Sequence, residues 1–126
     1  MLFRSRNAFK AAEAGLCAEE QGKFWELHDR MFANQTQLAL PMLPPLATSA
    51  GLNTEKFKAC VDSGKQEERV SADQAMASRA GVTATPTFFV GLLDNKTGAF
   101  TVTERIVGAK AYAVFQQALD SAIARR

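Results

Sequence analysis

The chain has 126 residues, 47% hydrophobic and 22% charged, with a formal net charge of +2. That length fits one domain, residues 1–126, able to bury roughly two-thirds of the surface its unfolded form exposes. The weak charge, with basic residues scattered among acids, argues against nucleic acid or an anionic membrane as a partner. No apolar run approaches the roughly 18 residues of a transmembrane helix.

Asn7 is placed to cap a first helix running to about Gln21. Phe9, Ala12, Leu16 and Glu20 fall at helical spacing along it, with Ala8, Ala11 and Gly15 beside them. A second helix is predicted over 22–33, with Phe24, Leu27, His28, Met31 and Phe32 as its apolar stripe and Trp25 at the edge. Asn34 to Leu40 is a connector. Pro41 suits a helix start, while Pro44 and Pro45 confine a helix to positions after them. A short helix over 43–50 ends at Gly51. Thr54 is the candidate cap of the next, 55–63, with Phe57, Cys60 and Val61 inward, and Gly64 stops it. A fifth helix covers 65–80, charged outside, with Val70, Ala77 and Ala80 inward.

The pattern changes at Gly81-Val82-Thr83-Ala84-Thr85-Pro86-Thr87-Phe88-Phe89-Val90-Gly91. Gly81 suits the left-handed conformation that closes a helix. Thr87 to Val90 is β-branched and aromatic, as in a strand buried on both faces, and the strand is read as running to Leu92. Pro86 sits at the strand's start, where a missing N–H matters least. It is a candidate for a cis bond, which X–Pro adopts at a penalty of only about 0.5–1 kcal/mol. Asp94 to Gly98 is a turn, and Phe100 to Val107 alternates as the return strand of an antiparallel hairpin. Gly108 precedes a last helix over 110–124, with Tyr112, Phe115, Leu119, Ala122 and Ile123 as its apolar face.

The Gly81–Gly91 segment resembles the cis-proline loop of the thioredoxin superfamily. Three further blocks are similar to DsbA-like thiol–disulfide oxidoreductases. They are Cys17–Asp29 with Met31–Gln35, Lys56–Lys65, and Ile106–Phe115. The likeness runs from about Asn7 to the end of the chain. It implies an α+β fold: an incomplete thioredoxin-like fold with a helical insertion over 7–80, then an antiparallel β-hairpin and a C-terminal helix over 81–126. The family's Cys-x-x-Cys, and the strands that normally come before this point, do not occur in these residues. Met1 to Arg4 is the one stretch that could be a strand remnant.

Cys17 and Cys60 are too far apart in sequence for a Cys-x-x-Cys pair, and both lie inside predicted helices. A reactive thiolate of that kind needs a helix N-terminus to lower its pKa. The resemblance implies a structural, non-catalytic disulfide between them; two buried free thiols are the other reading. His28 is the only histidine. With two cysteines it matches no zinc spacing, and a lone histidine on an apolar helix face reads as a core residue with one hydrogen bond. Glu19, Glu20, Glu67 and Glu68 read as solvated, and Glu26 with Arg30 as an i,i+4 surface pair. Phe24, Trp25, Phe32, Phe88 and Phe89 read as core. No glycine-rich phosphate loop occurs, so no cofactor, metal or catalytic residue is assigned.

Thr85 and Pro86 remain. In the family this loop pairs its backbone with a bound peptide, so the resemblance implies a peptide or protein strand as partner there. The plainer reading is that Pro86 only shapes the turn. Without a cysteine pair, the chain is expected to be redox-inactive alone, a truncated oxidoreductase-like protein. The alternative is a non-catalytic peptide-binding or self-assembly module. Open hairpin edges predict a homodimer or higher oligomer. The family suggests a periplasmic or extracytoplasmic setting. Arg4, Arg6 and Lys10 are followed by Glu13 instead of a continuous apolar run, so no signal peptide is read.

Overall fold

Residues 6–126 are described by the computed structural model, and they fall into two units that divide between Arg79 and Ala80. The first holds α1 (Arg6–Glu19), α2 (Phe24–Ala33), a 3-10 turn (Leu40–Met42), α3 (Leu43–Ser49), α4 (Thr54–Ser63) and α5 (Glu67–Arg79). The second holds β1 (Thr87–Leu93), β2 (Phe100–Val107) and α6 (Tyr112–Ala124). The α+β class is as the sequence predicts. The remnant strand considered at Met1 to Arg4 lies outside the described residues.

One cluster forms the core of the first unit: Ala14, Cys17 and Ala18 from α1, Leu27 from α2, Leu43 and Ala47 from α3, and Phe57, Cys60 and Val61 from α4. The small residues of α1 let its neighbours approach closely. At Gly15 the Phe24 ring stands 3.3 Å from where a Cβ would be. Several details differ from the sequence reading. Asn7 lies inside α1 and is not its cap. Asn53, not Thr54, caps α4, its side-chain oxygen accepting from the Lys56 N–H at 2.9 Å. The Thr54 hydroxyl bonds Thr48 instead. Pro44 and Pro45 do not delay α3; it starts at Leu43 and takes them in its first turn, where missing N–H groups leave no bond unmade. Ala80 is exposed. Glu26 pairs with Lys23 at 3.7 Å, the helix turn before it, and not with Arg30.

A polar clip ties the end of α1 to the start of α5. Arg69 Nη1 lies 2.6 Å from Glu19 Oε2, and Lys65 Nζ lies 2.8 Å from Glu20 Oε2. Gln66 also donates to Glu20. The Lys65 hydrogen bond, with help from Gln66 and the Lys65 charge, holds the Glu20 carboxyl below its ordinary value of 4.5. A lowered folded-state value stabilises above the unfolded value and is lost as pH falls through the folded one. Glu20→Gln is therefore expected to lower stability at neutral pH and to match the parent in strong acid. Thermal melts of both proteins across that range check this; parallel curves would remove the clip from the account.

In the second unit β1 and β2 pair antiparallel, from Thr87 opposite Val107 to Leu93 opposite Phe100, with a register shift between Val90 and Gly91. Asp94 closes the turn by accepting from the N–H groups of Lys96 and Thr97. Those bonds hold its carboxyl below the usual range. Helix α6 covers one face of the hairpin, with Phe115 edge-on to Phe88, ring centroids 4.9 Å apart. A sheet of two strands under one helix cannot enclose a strand on both faces. Hence Phe88 stays partly exposed where the sequence suggests burial. The buried residues of α6 are Ala118 and Ala122, while Tyr112, Leu119 and Ile123 are exposed.

Gly91 sits at the register shift, and a Cβ there would collide with the Thr101 carbonyl oxygen and the Phe100 ring. Backbone offers no rotamer to move aside. Gly91→Ala is expected to destabilise the hairpin by about 1–3 kcal/mol. Amide exchange of the β1 and β2 N–H groups should report it, and unchanged protection would count against this packing.

Candidate functional site

Cys17 and Cys60, 43 positions apart, are joined in a disulfide with Cα atoms 5.9 Å apart. Helical packing brings them together, since α1 and α4 lie side by side in the core. Both are nearly inaccessible, at 1% and 7% exposure. Exchange at a disulfide depends on access of an attacking thiolate to a sulfur, and burial restricts that access. No other cysteine occurs in the chain.

His28 is not in the core. Its ring is half-buried, with Nδ1 3.0 Å from Asp29 Oδ1. It sits in a row on α2, edge-on to the Trp25 ring at 5.1 Å and tilted against Phe32 at 4.5 Å, centroid to centroid. Trp25 and Phe32, read from the sequence as core, are 67% and 61% exposed. Leu27 is the one fully buried residue of their helix, with Met31 packed against the core beside it, while Trp25 and Phe32 stand on the outer side. Among the described residues no group of His, Cys, Asp and Glu side chains is arranged to hold a metal ion.

The Thr85–Pro86 loop is built from both sides. Gly81 takes φ 73°, a left-handed conformation after α5 that favours glycine, and turns the chain toward β1. The Thr85–Pro86 peptide bond is cis. Three hydrogen bonds brace the loop. Thr87 Oγ1 donates to the Ala84 carbonyl at 2.6 Å, the Gly108 N–H donates to the Pro86 carbonyl at 2.8 Å, and Arg105 Nη2 donates to the Gly81 carbonyl at 2.7 Å. Arg105 also lies over Phe89, its register partner, 5.9 Å from the ring centroid. These bonds engage the carbonyls on either side of Thr85. The N–H and C=O of Thr85 itself have no hydrogen-bond partner among the described residues. An exposed, braced peptide unit of this kind is suited to pairing with an extended chain. Sequence reasoning singled out Thr85 and Pro86 but missed the braces Thr87, Arg105 and Gly108. Arg105 reads as an ordinary outward residue of an alternating strand, and nothing local signals its reach to Gly81.

These features can be set against known proteins. The model of the family described as "DSBA-like thioredoxin domain" matches residues 2–120. The chain belongs to that family, a group of thiol–disulfide oxidoreductase type. Its curated relatives include proteins named Na(+)/H(+) antiporter NhaA. That of Herminiimonas arsenicoxydans is 44% identical over 80 residues, covering 64% of this chain and 13% of the relative. NhaA 3 of Salinispora tropica is 38% identical over 80 residues, covering 64% and 12%. That of Nitrosospira multiformis is 29% identical over 126 residues, covering 94% and 19%. The chain thus spans less than a fifth of the length of these relatives. No solved structure gives a significant match. No helix among the described residues is long and apolar enough to cross a membrane.

Proposed function

We propose that these 126 residues form a DsbA-like domain that does not exchange disulfides by itself and that offers the Thr85–Pro86 edge to an extended polypeptide. The observation that carries the first part is that the only two cysteines are bonded to each other in the core. Thiol–disulfide exchange needs an attacking thiolate with access to a sulfur and a second thiol to resolve the mixed disulfide. Neither is on the surface. The second part is supported by the free N–H and C=O of Thr85 between two braced carbonyls. We read the likeness to antiporter-named proteins as a likeness of this domain, and ion transport is not part of the proposal. A structural disulfide favours an oxidising compartment, where we place the folded form.

Two measurements test this reading. In an insulin-reduction assay the 126-residue chain should add nothing to the rate with dithiothreitol alone. Turnover that disappears on replacing Cys17 and Cys60 would overturn the claim of inactivity. For the edge, an extended octapeptide is compared with its backbone N-methylated twin. Strand pairing predicts that methylation abolishes binding and that the Thr85 amide resonance moves on titration. Equal binding of the two peptides would sink the strand-pairing reading. Thr87→Val removes a brace worth about 0.5–1.5 kcal/mol and should weaken binding roughly two- to tenfold.

A second reading is self-association. It is favoured by Phe100, Val102 and Val107, all exposed on β2, together with the open edges of a two-stranded sheet. A second copy pairing along an edge would cover them. Light scattering should then give a dimer or larger species; a monomer at moderate concentration rules this out.

A further inference from the structure

We infer that the polypeptide taken at the Thr85–Pro86 edge is acidic, with carboxylate side chains flanking the paired segment, and that Lys110 is the residue that selects it. This rests on the strand-pairing reading above and adds the chemistry of the partner.

Two cations stand beside the loop. Arg105 reaches Gly81, its Nη1 3.7 Å from where a Gly81 Cβ would be. Lys110 Cε lies 3.9 Å from the Cβ position of Gly108, whose N–H is bonded to the Pro86 carbonyl. The lysine stem therefore lies against Gly108, the residue whose N–H is tied to the loop, and its ammonium makes no ion pair among the described residues. Arg105 is already held by a carbonyl and a ring. Lys110 is the freer of the two and can turn to a ligand.

No acid within this unit offsets them. Residues 80–93 and 105–119 contain no Asp or Glu. The acids of the unit are Asp94, Glu104 and Asp120. Glu104 neighbours Arg105 on β2, so strand alternation sends it to the opposite face. Asp94 is at the far turn and is engaged with Lys96 and Thr97. Asp120 is about two turns into α6. An extended chain lying along Thr85 would meet two positive charges and no negative one from this unit. Exposed pairs of this kind change affinity modestly, about two- to fivefold each, and are weakened by salt.

The experiment uses the 126-residue chain and three labelled octapeptides that share an uncharged extended core. Their flanks are Glu, Gln or Lys, and binding is read by fluorescence anisotropy. At low salt the Glu peptide is expected to bind at least about threefold tighter than the Gln peptide, with the Lys peptide weakest. At about 0.5 M salt the three should converge. Lys110→Gln should cut the Glu preference by about two- to fivefold; Lys96→Gln, at the far turn, should leave the preference intact. If the Gln peptide binds as tightly as the Glu peptide at low salt, the inference fails and strand pairing survives. An undiminished preference in Lys110→Gln also overturns the role of Lys110. If no peptide binds, or the N-methylated twin binds equally, strand pairing fails and takes this inference with it.

Discussion

Replacing both Cys17 and Cys60 with alanine should lower the stability of the helical unit by about 4 kcal/mol. The figure follows from the 43-residue separation of the joined positions, which sets how much freedom the cross-link removes from the unfolded chain. The native side adds to it, because both sulfurs are buried in the core cluster and their removal leaves a void. Guanidinium unfolding followed by helix circular dichroism measures the change. The parent chain unfolded in reductant should show a loss of the same order. A shift below about 1 kcal/mol would mean that strain or residual unfolded-state structure cancels the constraint. Single replacements are a poorer test, since they leave a thiol free to pair with another molecule.

The second large effect is expected at Phe57, where Phe57→Ala should destabilise by about 3–5 kcal/mol. Phe57 is among the largest fully buried side chains of the chain. It lines a small, partly open pocket of about 40 Å³ with Leu40, Leu43, Pro44, Lys58, Val61 and Asp62. Removing the ring would enlarge a space that already exists. Collapse into it is resisted, because Cys60, one turn along α4, is fastened to α1. Phe57→Leu keeps most of the volume and should cost less than about 1.5 kcal/mol. Near-equal melting temperatures for the alanine and leucine proteins would show that the site collapses after all. Because Phe57 and Cys60 share one helix turn and one cluster, their effects should not add. A double-mutant cycle between Phe57→Ala and the cysteine replacements reads that coupling.

The residues that decide the site were legible to different degrees. Gly81, Pro86 and the Thr87–Val90 run carry local chemistry: a left-handed glycine, a proline at a strand start and β-branched or aromatic side chains. Such signals survive without a partner, so the loop was placed correctly. Arg105 and Gly108 act on the loop from well down the chain, and no spacing rule links them to Gly81 and Pro86. The sequence reading gives the cap of α4 to Thr54, although the adjacent Asn53 is of a type that ranks above threonine as a cap. Geometry then gave the bond to Asn53.

The sequence by itself determined the order of the elements and the α+β class, because helix and strand periods and turn residues are local properties; the DsbA-like kinship rests on likeness to that family. The sequence also determined that no Cys-x-x-Cys lies within these residues. Only the tertiary structure decided which apolar faces are covered. Trp25, Phe32, Leu119 and Ile123 match inward positions by period yet stand exposed, while Glu13 is buried against Lys10, 2.9 Å away. Periodicity names an apolar face but not the neighbour that covers it. The pairing of Cys17 with Cys60 and the free peptide unit of Thr85 depend on such neighbours, and so only the folded chain settles them.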